Sequence, residues 1–245
     1  MSLVVLIGAL ALLFLTMGTL RMESYSPYVY SAHSQVFLFI FAISGCWFAS
    51  ESFKSLQNPV RGIPYLMIPA SALEKFLVTL LLILLFIPIY TAIFYLVEGF
   101  FFAIVNARLP ANSEHYGLMN PYHPQLRNAY FPLFLALLAY LFFFLGAIYF
   151  VKAPFIKTGL VAFLLSVAII VIHQNVLMWL LPEGSIVGGD IPFVRSLINA
   201  GQATNNRFYE VRLQGIARQA VMLFWYLMFP ALCAIAYARF REKQL

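Results

Sequence analysis

Charge is scarce in this chain. Only 10% of its 245 residues are Asp, Glu, Lys or Arg while 63% are hydrophobic, and a water-soluble domain of this size has no interior large enough to hide so much apolar surface. A soluble globular fold is excluded. Cysteine is nearly absent: Cys46 and Cys233 both fall in apolar runs with no metal-like spacing, which makes them small packing residues. Catalytic motifs are missing too. Without a GxxxxGK[ST] loop the chain cannot hydrolyse ATP through that fold, and without HExxH, GxSxG or a Cys-His cluster, metalloprotease and serine hydrolase chemistry lack their usual parts. The chain is expected not to be an enzyme.

Long apolar runs are what it has. Crossing a hydrocarbon layer roughly 30 Å thick takes about 20 apolar helical residues. Six segments meet or approach that length: Leu3 to Leu20, Val36 to Ser50 (the shortest), Phe76 to Val105, Ala129 to Val151, Leu160 to Leu181 and Gln219 to Ala238. The runs are continuous and do not alternate with polar residues, so helices rather than a barrel are expected. The fold class read here is all-α: a polytopic membrane protein of six transmembrane helices in one domain, 1–245. Met1 and Ser2 bring no basic flank, so the first run is read as an uncleaved span rather than a signal peptide.

Basic residues set the expected orientation. With both termini cytoplasmic, the inside holds Lys54, Arg61, Lys75, Lys152, Lys157, Arg239, Arg241 and Lys243. The shorter outside loops hold Arg21, Arg108 and Arg127; the long loop 182–218 carries Arg195, Arg207, Arg212 and Arg218. Orientation bias is counted over short loops near the spans, which favours termini inside and places 51–75 on the cytoplasmic face.

That inside loop contains GIPYLMIPASALEKFL over residues 62–77. Pro59, Pro64 and Pro69 each remove a backbone donor, and Gly62 adds freedom, so no regular helix crosses the segment. Regularity resumes at Ser71. Ser-Ala-Leu-Glu matches a capping box, in which the serine oxygen accepts from the amide of Glu74 and the Glu74 carboxylate reaches back. A helix from Ala72 to about Val105 would be about 50 Å long, longer than the hydrocarbon is thick, so its first turn stands in the cytoplasm. Pro88, near mid-membrane, is expected to bend it.

Other polar residues are sparse. His173, Gln174 and Asn175 sit near the middle of the fifth span, where they either pack as interhelical hydrogen bonds or line a path. Consecutive positions splay over about 200° of a helix, so at least one should face a neighbour. Glu98, toward the outer end of the third span, is expected to reach the interface. Glu114, His115 and His123 are read as loop polar groups, not metal ligands. Gly188-Gly189-Asp190 reads as a turn, and IPFVRSLI after it as a short interfacial piece. Gly45 with Ala49, and Ala42 with Cys46, give spacing suited to close helix approach. Tyr149, Tyr237, Trp179 and Trp225 fall near interfaces or on buried faces.

The order of a short apolar start, two spans, an inside loop with proline and an acidic-basic pair, three further spans, a long outside loop and a last span ending ALCAIAYARFREKQL resembles permease subunits of bacterial type-2 ABC exporters. The GIPYLMIPASALEKFL tract and the ARFREKQL ending look most like the small permease-like proteins of that group. The resemblance implies an exporter-type bundle in the cell inner membrane whose loop before the third span contacts the ATPase through Arg61, Gly62, Pro69, Ser71, Glu74 and Lys75. It implies a partner ABC ATPase, which brings ATP and Mg, and a second permease copy or homologue; beyond these only the lipid bilayer is expected, and no nucleic acid. It also implies short, partly inserted helices before the last span. One departure stands: family members usually begin with an amphipathic helix on the cytoplasmic face, whereas this sequence begins directly in apolar residues. Two alternatives to a permease stay open, a noncatalytic membrane scaffold or accessory subunit and an intramembrane enzyme using His173 or the Glu114 group.

Overall fold

A computed structural model describes residues 28–53, 69–110, 114–118, 130–180, 186–191, 195–199, 208–212 and 214–244. The expected first span, and Arg61 with Gly62, lie outside these residues. The long elements are α-helices: α1 (Tyr28–Glu51), α2 (Ala72–Asn106), α3 (Tyr130–Tyr149), α4 (Pro154–Leu180) and α5 (Gly215–Gln244). Their unbroken apolar runs can satisfy backbone groups only internally when surrounded by lipid, which is what a helix does. Four of them, α1, α2, α4 and α5, are long and apolar enough to cross a membrane, and α3 contributes the shorter apolar stretch Leu133–Tyr149. The protein is membrane-embedded, and its long elements are helices.

Three short strands lie between α4 and α5: β1 (Ile186–Ile191), β2 (Arg195–Asn199) and β3 (Phe208–Arg212). They form an antiparallel sheet in the order β1-β2-β3, with Val187 opposite Ile198 and Ile198 opposite Tyr209. This differs from the inserted helices that the family resemblance implies for loop 182–218. Gly188-Gly189-Asp190, read as a turn, lies inside β1 where the register to β2 shifts. Glycine there permits the irregular backbone of a bulge without ending the strand.

The chain divides into two compact units, Met1–Phe155 with Ala236–Leu245, and Ile156–Ile235. In the first, α1 packs on α3 and on α2. The α1–α2 contact is aromatic and antiparallel. Phe37 meets Tyr90 and Phe94, Phe41 meets Tyr90, and Phe48 stacks on Phe86, with centroids 4.8–5.4 Å apart. Tyrosine hydroxyls fasten this layer to the α1 backbone: Tyr90 donates to the Phe37 carbonyl at 2.9 Å and Tyr140 of α3 to the Phe41 carbonyl at 2.5 Å. Helices in lipid gain nothing from hiding apolar surface from one another, so ring packing and such hydrogen bonds hold them together.

At the Ser71 end, Phe53, Phe76, Phe144 and Phe240 form a buried cluster joining the turn after α1 to α2, α3 and α5. Beside it, Lys243 of α5 donates to the carbonyl of Ile148 in the last turn of α3, supplying a cation where a helix leaves carbonyls without internal partners. Arg239, one turn earlier, lies over the Tyr149 ring at 4.8 Å.

The capping box is formed. Ser71 takes an extended backbone (φ −63°, ψ 155°), its hydroxyl accepts from the Glu74 amide at 3.2 Å, and its own amide donates to the Glu74 carboxylate at 2.8 Å. Ser71→Ala removes one of these two bonds and is expected to cost about 1 kcal/mol. Fraying of the first α2 turn, read as faster amide exchange at Glu74 with exchange at Tyr90 unchanged, is the measurement that checks it.

Candidate functional site

The residues expected to meet an ATPase are partly gathered. Pro69 and Ser71 are exposed, Glu74 is exposed and engaged in the cap, and Lys75 donates its amide to the Ser71 carbonyl at 3.1 Å. This capped elbow is held locally by hydrogen bonds that run within four residues. Phe76, directly after it, carries the elbow into the packed cluster by touching Phe144, Tyr237 and Phe240.

The polar triplet of α4 does not converge. His173 is buried, while Gln174 and Asn175 are exposed and the Asn175 amide donates to the Val171 carbonyl one turn back. A side chain that bonds its own helix in this way is satisfied without a neighbour. Glu114 and His115 are exposed, and His123 lies outside the described residues.

The most concentrated polar chemistry lies elsewhere. Glu98, expected to reach an interface, is fully buried at 0% exposure, against His33 of α1, also at 0%. His33 Nδ1 and Glu98 Oε1 are 3.3 Å apart. Glu98 is the one buried carboxyl among the residues whose burial is described. It faces inward because α2 presents Glu98, Phe102 and Asn106 at intervals of four residues, within an arc of about 80°, toward α1 and the segment that follows the helix.

Each member of this column has a partner. The His33 ring stacks on Phe102 with centroids 5.0 Å apart and planes 6° from parallel. Phe102 stacks in turn on Tyr116 at 5.3 Å and 11°. Asn106 clasps the Tyr116 backbone from both sides, its amide donating to the Tyr116 carbonyl at 2.9 Å and its oxygen accepting from the Tyr116 amide at 2.8 Å. Leu118 lies 3.4 Å from where a side chain on Gly99 would begin. Residues 114–118 therefore form a strap across the end of α2.

An imidazole and a carboxyl in hydrogen-bond contact can hold one proton between them or pass it on. Burying two ionisable groups at membrane depth is costly, and such pairs normally mark function. His33 went unread in the sequence because it stands in YVYSAHSQVFLF, ahead of the stretch apolar enough to count as the second span. The usable signal is helical spacing: α1 starts eight residues before Val36, and His33 precedes Phe37 and Phe41 on the same four-residue step. The elbow and the dyad occupy opposite ends of α2, and Glu74 and Glu98 are about 36 Å apart along it. Set against protein-family models, curated proteins and solved structures, the chain matches none of them.

Proposed function

We propose that this chain is the membrane-spanning permease subunit of an ABC exporter, moved by a separate ATPase that docks on the capped start of α2. The observation that carries this reading is the intact capping box on a helix of 35 residues. Such a helix is about 52 Å long, so its start stands clear of a hydrocarbon layer roughly 30 Å thick. A push on Ser71 or Glu74 meets a stiff first turn and passes through Phe76 to α3 and α5 at once. The composition and the GIPYLMIPASALEKFL tract support the same reading.

The test is biochemical. Purified under mild detergent from its native membrane, the protein should bring with it a nucleotide-binding subunit and stimulate that subunit's ATP turnover. Charge reversal of the elbow, Glu74→Lys with Lys75→Glu, should reduce the stimulation about tenfold while leaving the helical content unchanged, as loss of one docked charge pair at an interface does. Recovery of the folded protein with no ATP-binding partner sinks the proposal. The second reading is a noncatalytic scaffold or accessory subunit, favoured by the ring-filled contact among α1, α2 and α3. On that reading the same charge reversal weakens assembly and leaves ATP turnover untouched.

A further inference from the structure

We infer that His33 and Glu98 form a buried proton-binding site that opens to water at the Asn106 end of α2 by release of the 114–118 strap. The inference goes beyond the exporter reading and holds for any membrane protein with this geometry.

Three observations carry it. First, the two groups are adjacent and sealed: 3.3 Å apart, each at 0% exposure. Counting titratable protons, the dyad is neutral with one, carries net charge −1 with none and +1 with two. A net charge in a dry, low-dielectric site is costly, so a change of occupancy requires water to reach the pair.

Second, the barrier to water on one side is thin. Glu98 lies eight residues before the last residue of α2, about 13 Å along the helix from exposed Ala107. Between them stand two stacked rings, Phe102 and Tyr116. Third, the outer ring lies outside any helix. Among its contacts, the strap has the two Asn106 hydrogen bonds, the stack of Tyr116 on Phe102 and Leu118 over Gly99.

Among the described residues, the titratable and charged groups facing this site are His33 from α1, Glu98 from α2 and Tyr116 from the strap. Glu114, His115 and Arg108 stand exposed around its mouth.

Infrared spectroscopy of the full chain in lipid nanodiscs tests this directly. A carboxylic-acid carbonyl band should be present in the wild type and absent in Glu98→Gln. After transfer to D2O its exchange shift should be slow in the wild type. The shift should be at least about tenfold faster in Asn106→Ala, which loses both clasping bonds, and in Gly99→Leu, which displaces Leu118 without touching a polar group. Amide exchange in the same spectra should stay as in the wild type.

No Glu98-dependent acid band at any pH overturns the proton site. Wild-type exchange rates in both variants overturn the strap as its door. Faster exchange that comes only with faster amide exchange throughout the chain also overturns it, because the site would then open only by unfolding.

Discussion

Replacing Glu98 with alanine is expected to destabilise the folded protein by about 1–3 kcal/mol, the cost of taking away the partner of a buried polar group. The effect comes less from the lost attraction than from what is left behind, an imidazole locked between α1 and Phe102 with the carboxyl gone. Two companions make the interpretation specific. Glu98→Gln keeps an acceptor near Nδ1 and is expected to lose only about 1 kcal/mol. The double substitution His33→Phe with Glu98→Leu replaces the pair by apolar groups of similar volume and is expected to recover most of the loss. Reversible unfolding in mixed detergent micelles, run as a double-mutant cycle, gives the coupling energy. A loss below about 1 kcal/mol for Glu98→Ala would put the pair in the class of exposed ion pairs and contradict its burial.

Gly45→Ala is expected to cost about 3 kcal/mol or more, although a single methyl is added. A Cβ at position 45 would lie 2.0 Å from Cζ, 2.2 Å from Cε1 and 2.3 Å from the hydroxyl oxygen of Tyr140. These are far inside contact distance. The ring has nowhere to retreat, because Tyr140 is buried, packs on Phe41 and Phe86, and donates its hydroxyl proton to the Phe41 carbonyl. Either that bond breaks or α1 moves off α3, and overpacking adds to the penalty of an unsatisfied buried hydroxyl. Tyr140→Leu, combined with Gly45→Ala, frees the volume and should restore part of the loss. If Gly45→Ala unfolds at the wild-type detergent fraction, the close approach of α1 and α3 is wrong.

The two substitutions act on one assembly. Along α1, His33, Phe37, Phe41 and Gly45 follow one another every four residues, and each meets α2 or α3. Small-residue spacing identified Gly45 from the sequence, since a residue without a side chain inside an apolar helix invites a neighbour. Which neighbour it invites is set 95 residues later, at Tyr140. Glu98 shows the opposite case. Read alone, a carboxyl near the end of a span belongs at an interface; with His33 opposite, it belongs inside.

Misreadings elsewhere share this origin. Hydropathy alone starts the second span at Val36 because Ser31, His33, Ser34 and Gln35 lower it locally, yet α1 begins at Tyr28. Polar groups served by protein need no water, and a single sequence does not show which are served. The long loop before α5 likewise forms strands, since sheet pairing depends on cross-strand partners that local composition does not reveal.

The sequence by itself determined that this chain lives in a membrane, that its apolar runs are helices, and that one of them starts at Ala72 under a serine-glutamate cap. Those features rest on composition and on hydrogen bonds reaching no more than four residues, so local order suffices. Only the tertiary structure decided that Glu98 meets His33 across 65 residues, that Tyr140 fills the notch at Gly45 and that a five-residue strap closes the end of α2. Contacts over such separations depend on how helices are brought side by side, and in lipid that choice is made by the fit of rings, notches and buried polar pairs rather than by hydrophobicity, which every helix shares.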